Sequence, residues 1–232
     1  MISFLDLKKC NEPYHHAFQE KLKSVMERGW FILGTEVNDF ERNFAHFCSS
    51  KYGIGVGNGL DAITLTFLAY IENGNLQKGD EIIVPANTYI ASILGILHAG
   101  LVPVLVEPDL ETYNMNPLLI EEKLTSKAKG ILVVHLYGQL AEMEAIRALA
   151  YQHNLLIVED CAQAHGLAFK GSHPRCFSFY PGKNLGALGD AGAVITEKMR
   201  ITHVGNLGIG TTVPVSRLVV VGGVGIGTGL NS

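Results

Sequence analysis

The chain has 232 residues, 47% of them hydrophobic and 17% charged, enough for a buried core and too apolar for a disordered polypeptide. The formal net charge of −4 argues against a nucleic-acid-binding face, and no apolar run reaches the roughly 18 residues that span a bilayer. Cys10, Cys48, Cys161 and Cys176 are scattered without CxxC spacing, and the start of the chain lacks a basic-then-apolar leader, so a reducing, cytoplasmic location is expected.

In chain order, Pro13–Arg28 and Glu36–Ser49 read as helices. The link between them, Gly29-Trp30-Phe31-Ile32-Leu33-Gly34, fits a turn packed on the core as well as a lip over a site or a subunit contact. Strand-length apolar runs follow at Tyr52–Val56, Glu81–Pro85, Val102–Glu107, Gly130–Leu136, Leu155–Glu159 and Arg175–Tyr180, with a seventh candidate at Ala193–Thr196. Helix-period segments alternate with them at Leu60–Ile71, Tyr89–Ala99, Pro117–Leu124 and Ala141–His153. Continuous apolar strands separated by helices predict an α/β fold, a mostly parallel sheet with helices on both faces. Ligands of such sheets bind beyond the carboxyl ends of the strands, where Asn58, Asn87, His135, Asp160 and Ser178 fall.

Composition changes near Arg200. Residues 201–232 contain no acid, and Gly-Ile-Gly-Thr occurs twice, 17 residues apart. The expected division is therefore a domain over residues 1–196 and a glycine-rich tail over residues 197–232, unrelated to it or chimeric.

The chemistry centres on two residues. Asp160 closes an apolar strand and Lys183 stands in the glycine-punctuated turn Tyr180-Pro181-Gly182-Lys183-Asn184-Leu185-Gly186. That pairing suits pyridoxal 5'-phosphate: the amine holds the cofactor as a Schiff base and then moves a proton, while the acid pairs with the pyridine nitrogen. Read alone, Asp160 fits a helix cap better than a catalytic acid, and Lys183 also fits a solvated loop lysine. Ser178, on the strand before, offers a hydroxyl to a phosphate. Gly57-Asn58-Gly59-Leu60-Asp61-Ala62 leads from strand to helix, where backbone amides and the helix dipole attract an anion. Asp61 fits a capping role there as well. Tyr89 is placed to stack on a ring, or to pack in the core. A dinucleotide fingerprint is excluded, because the glycines near Gly55 lack GxGxxG spacing and the next strand ends without an acid. His135 and His165 lack metal-site neighbours and read as supporting or core residues, with no metal expected.

These motifs together resemble the DegT/StrS-type (DegT/DnrJ/EryC) sugar aminotransferases. The resemblance runs from Ile2–Leu7 through Gly34–Val37, Gly57–Ala62, Pro85–Ala91, Val134–Gln139 and Glu159–Gly166 to about Thr196. It implies the large domain of a fold type I pyridoxal phosphate transferase, with Asp160 on the pyridine nitrogen, Lys183 carrying the cofactor and Ser178 on its phosphate. It also implies Gln163 on the ring-hydroxyl side, with Gly59, Leu60 and Asp61 at the phosphate segment; Leu60 replaces a hydroxyl residue, which leaves only its backbone contact. The family's small C-terminal domain is absent from this reading, and the tail resembles glycine-rich tail-fibre repeats. The implied activity is transamination of a nucleotide-linked keto sugar, most like a dTDP-3-keto-6-deoxyhexose with a 4-keto sugar as the alternative, with glutamate as donor and a homodimer as the working unit. The alternative is a non-catalytic chimeric remnant with a fibre-like tail.

Overall fold

The computed structural model of the chain describes residues 4–197, 199–201 and 207–209. Seven strands form one sheet: β1 (Tyr52–Val56), β2 (Glu81–Pro85), β3 (Val102–Val106), β4 (Ala128–Val134), β5 (Leu156–Asp160), β6 (Arg175–Ser178) and β7 (Gly192–Thr196). Their order is β1-β7-β6-β5-β4-β2-β3, and only β7, lying between β1 and β6, runs against the rest. The expected mostly parallel sheet is therefore present. A short strand pair, β8 (Met199–Ile201) with β9 (Leu207–Ile209), lies within the segment expected as a tail. The remainder of the expected glycine-rich unit at 197–232 lies outside the described residues.

Strand alternation distributes the core between two faces. Ile82, Val84, Leu132 and Val158 point to the side covered by α4 (Gly59–Glu72) and α5 (Ile90–His98), where Ile63, Phe67 and Ile96 meet them. Their neighbours Ile83, Ile131, Val133 and Ile157 point the opposite way, onto Ile146 and Ala150 of α6 (Met143–Gln152). Strands buried on both faces need apolar residues at every position, which is why they read as continuous runs. At the β6–β7 end, Phe44 from α3 (Thr35–Phe47) packs edge-on to Phe177, their ring centroids 5.0 Å apart.

One local expectation is corrected and one open alternative is decided. Pro117–Leu124 is not one helix but two 3-10 turns, Pro117–Leu119 and Glu121–Lys123. The Asn116 side chain caps the first by accepting from Leu118 N, and Leu124 is already extended, so eight residues never overcome the cost of helix nucleation. The Gly29–Gly34 link does not pack on the core either. Trp30, Phe31, Ile32 and Leu33 are 67–70% exposed, beyond the end of α2 (His15–Arg28), itself a helix without a buried residue. A short N-terminal helix, α1 (Leu7–Asn11), precedes them, and among the described residues no helix is long and apolar enough to cross a membrane.

Candidate active site

The carboxyl ends of β1, β2, β4, β5 and β6 converge on a cavity of about 640 Å³. Asp160, Gln163, Ser178, Lys183, Tyr89, Gly59 and Leu60 all line it, residues drawn from a span of more than 120 positions. The amine and the acid singled out from the sequence thus face one shared space. Asp61 is the exception. Its carboxylate turns back to Asn58, accepting from Nδ2 at 3.1 Å, and it is not among the lining residues. The capping alternative describes its geometry, with one refinement: the cap is Asn58, whose Oδ1 accepts from Asp61 N at 2.8 Å. The amides of Gly59 and Leu60 are left at the start of α4, beside Ser178.

That approach depends on glycine at two positions. A Cβ on Gly59 would stand 2.7 Å from the Ser178 Cβ, and one on Gly192 would stand 2.3 Å from the Asn58 carbonyl oxygen. The first turn of α4 therefore sits directly on the ends of β6 and β7, its amides and the Ser178 hydroxyl forming one concave donor surface. The Ser178 oxygen accepts from Tyr180 N at 3.4 Å, which leaves its proton free to donate into the cavity.

At the other end, Asp160 is buried and receives two neutral donors: the Ser92 hydroxyl at 2.7 Å on Oδ2 and the Ala162 amide at 3.0 Å on Oδ1. Burial raises its carboxyl above the ordinary value, with Ser92, Ala162, Lys183 and His135 pulling the other way. Gln163 is oriented by the loop after β4. Its Oε1 accepts from Tyr137 N at 2.7 Å, so its amide nitrogen is the group left to donate. Tyr137 holds that position with a left-handed φ of 56°. Tyr89 caps α5 and is 72% exposed, its ring at the rim rather than in the core. Lys183 is half-buried, in a turn closed by its amide to the Tyr180 carbonyl at 2.8 Å.

Sequence reasoning missed Ser92 and Asp190, which also line the cavity. Nothing around Asp190 marks it, and Ser92 looks like an ordinary polar residue in the first turn of an apolar helix. His135 is wholly buried on the opposite face. Its Nδ1 accepts from Ala141 N at 3.2 Å and its Nε2 therefore donates to Glu159 at 2.9 Å. With both ring nitrogens engaged, the His135–Glu159–Cys161 group has no imidazole lone pair for a metal. Burial also lowers His165, between Phe177 and Phe179, to about 4, a neutral ring at physiological pH.

Comparison with known proteins shows the family and the fold. The family model for DegT/DnrJ/EryC1/StrS aminotransferases matches residues 14–204. The chain belongs to that family. It is 56% identical over 191 residues to the dTDP-3-amino-3,6-dideoxy-alpha-D-galactopyranose transaminase of Aneurinibacillus thermoaerophilus, covering 82% of this chain and 48% of that protein. Among solved structures it resembles DesV of S. venezuelae in complex with a ketimine intermediate (TM-score 0.79, 44% identity, 84% of this chain and 53% of that one). It also resembles NtdA of Bacillus subtilis with bound cofactor PMP (TM-score 0.79, 33% identity, 85% and 45%). The chain spans about half the length of the relatives it matches. Its sheet and helices are those of the large domain of this aminotransferase fold.

Proposed function

We propose that this chain carries the cofactor site of a pyridoxal phosphate-dependent aminotransferase acting on a dTDP-linked 3-keto-6-deoxyhexose, with glutamate as amino donor. The observation that carries this reading is one cavity holding the Asp160 carboxylate, the Lys183 amine and, beside Ser178, the amide-lined start of α4. The donor set fits the cofactor at each of its polar points: an acid for a ring nitrogen, an amide nitrogen for a ring hydroxyl, and a hydroxyl with two backbone amides for a phosphate.

When bound, pyridoxal phosphate supplies an electron sink that lets an amino group pass between an amino acid and a ketone. The residues divide the remaining work. Gly59 and Leu60 amides and the Ser178 hydroxyl bind the phosphate, and the dipole of the 14-residue α4 favours its charge. Asp160 holds a proton on the ring nitrogen, which its burial makes effective because little water screens the pair. Gln163 donates to the ring oxygen from an amide fixed by Tyr137. Tyr89, at the rim of the cavity, would offer its ring as a stacking surface for the cofactor. Lys183 would hold the cofactor through its amine, and the same amine, when free, would be the group at this end of the cavity able to take up or release a proton.

The substrate reading is supported by the 56% identity to a transaminase named for a dTDP-linked 3-amino-3,6-dideoxy sugar. A homodimer fits the exposed Trp30–Leu33 segment and the unburied α2. The test is direct. The purified chain mixed with pyridoxal phosphate should develop a visible absorption band that Lys183→Ala abolishes. A band that persists in Lys183→Ala, or none in the unsubstituted chain, refutes the reading.

A further inference from the structure

Ser92 belongs to no motif, yet it makes the shortest contact to the buried acid. It stands in the first turn of α5, 1% exposed, with its oxygen 2.7 Å from Asp160 Oδ2. An ionised carboxylate only accepts, so the Ser92 proton points at Asp160. The Ser92 oxygen is then the acceptor for Thr88, whose hydroxyl lies 2.8 Å away. Thr88 also lines the cavity, so a two-hydroxyl relay runs from its wall to the acid. The Ala162 amide holds the other oxygen, Oδ1, from the chain that follows β5. Donors from two separate elements thus fix the plane of the carboxylate, leaving a lone pair on each oxygen.

We propose that Ser92 is the positioning residue for Asp160, its hydroxyl ordered by Thr88, so that the carboxylate keeps one edge turned to the cofactor's ring nitrogen. The inference rests on the cofactor reading above. Ser92 acts only through Asp160. The charged and titratable groups around that acid come from three other directions: Lys183 from the turn after β6, His135 from the end of β4, and the buried thiols of Cys161 and Cys176. Lys183 and His135 lie with Asp160 in every variant of Ser92, so a change at Ser92 reads the hydroxyl alone.

The experiment uses the full chain loaded with pyridoxal phosphate, with cofactor affinity and the pH midpoint of the visible band as readouts. Ser92→Ala should weaken cofactor affinity roughly tenfold or more, the loss expected for one hydrogen bond to a charged group. It should also move the band's midpoint to higher pH: a loosened carboxylate keeps less positive charge on the ring, and the Lys183 nitrogen then holds its proton longer. Ser92→Thr, which restores the hydroxyl, should recover both values. An unchanged affinity and midpoint in Ser92→Ala overturns the inference, as does a failure of Ser92→Thr to recover them. If Ser92→Ala does not fold, Thr88→Val carries the test, and a midpoint equal to that of the unsubstituted chain overturns the relay. An unsubstituted chain that takes up no cofactor overturns the cofactor reading itself; a loaded chain indifferent to Ser92 overturns only the role of Ser92.

Discussion

Glu159 and Asp160 are consecutive acids on β5, both buried, and they face opposite sides of the sheet. Glu159 is partnered within the protein: His135 Nε2 donates to one oxygen at 2.9 Å, and the Arg175 guanidinium nitrogen Nε is 3.6 Å from the other. Arg175 is itself tied to the Gly171 carbonyl at 2.7 Å and lies over the Phe169 ring. Among the described residues, the Asp160 carboxylate takes its hydrogen bonds from a hydroxyl and an amide, both neutral. On the proposed reading, the difference separates a structural acid from one kept for the cofactor. A carboxylate whose counter-charge is built into the protein has nothing left to offer a ligand. One held in shape by neutral donors keeps its charge for a cation that arrives later.

The largest effect should come from Glu159. Glu159→Gln removes the partner of a buried guanidinium, and breaking such a pair costs about 3–5 kcal/mol, readable as a fall in denaturation midpoint. A stability loss under about 1 kcal/mol would mean that water, rather than Glu159, compensates Arg175. Next, Gly59→Ala should lower stability by about 1–3 kcal/mol through overpacking against Ser178, and weaken cofactor uptake with it. Retained affinity in that variant would show that the phosphate does not sit at this turn. Asn58→Ala should cost about 1 kcal/mol by uncapping α4.

The smallest effect should have the opposite sign. Burial raises Asp160 above its ordinary 3.8, so the folded chain binds its proton more tightly than the unfolded one. The stability tied to that proton is fully present below the unfolded value and is lost as pH rises through the folded value. In the cofactor-free chain, Asp160→Asn should therefore raise the melting temperature near neutral pH, and the gain should shrink as pH falls toward 3.8. A melting temperature lowered at every pH would place Asp160 with Glu159, as a structural acid. Under the proposed pairing of Asp160 with the ring nitrogen, cofactor loading should reverse the order.

Much of the site was readable from residue order because strand ends announce themselves. Asp160, Ser178 and Asn58 each follow an apolar run, and Lys183 follows Ser178 within one turn. What escaped was contact across long stretches of chain. Ser92 meets Asp160 from 68 residues away and Tyr137 orients Gln163 from 26 residues away. Nothing near either residue signals these bonds. Pro117–Leu124 failed for a local reason: its apolar spacing suits a helix, but the Asn116 cap and the extended Leu124 confine it to short turns around the buried Ile120.

By itself, the sequence determined the α/β alternation, the strands buried on both faces, and the opposite orientations of Glu159 and Asp160, since side chains on a strand alternate by geometry. The tertiary structure alone decided which face became the cavity, where antiparallel β7 slots between β1 and β6, and which of the two acids acquired the Arg175 guanidinium as a counter-charge. Those outcomes depend on which distant groups share a low-dielectric space, and spatial proximity between remote residues is settled only when the chain packs.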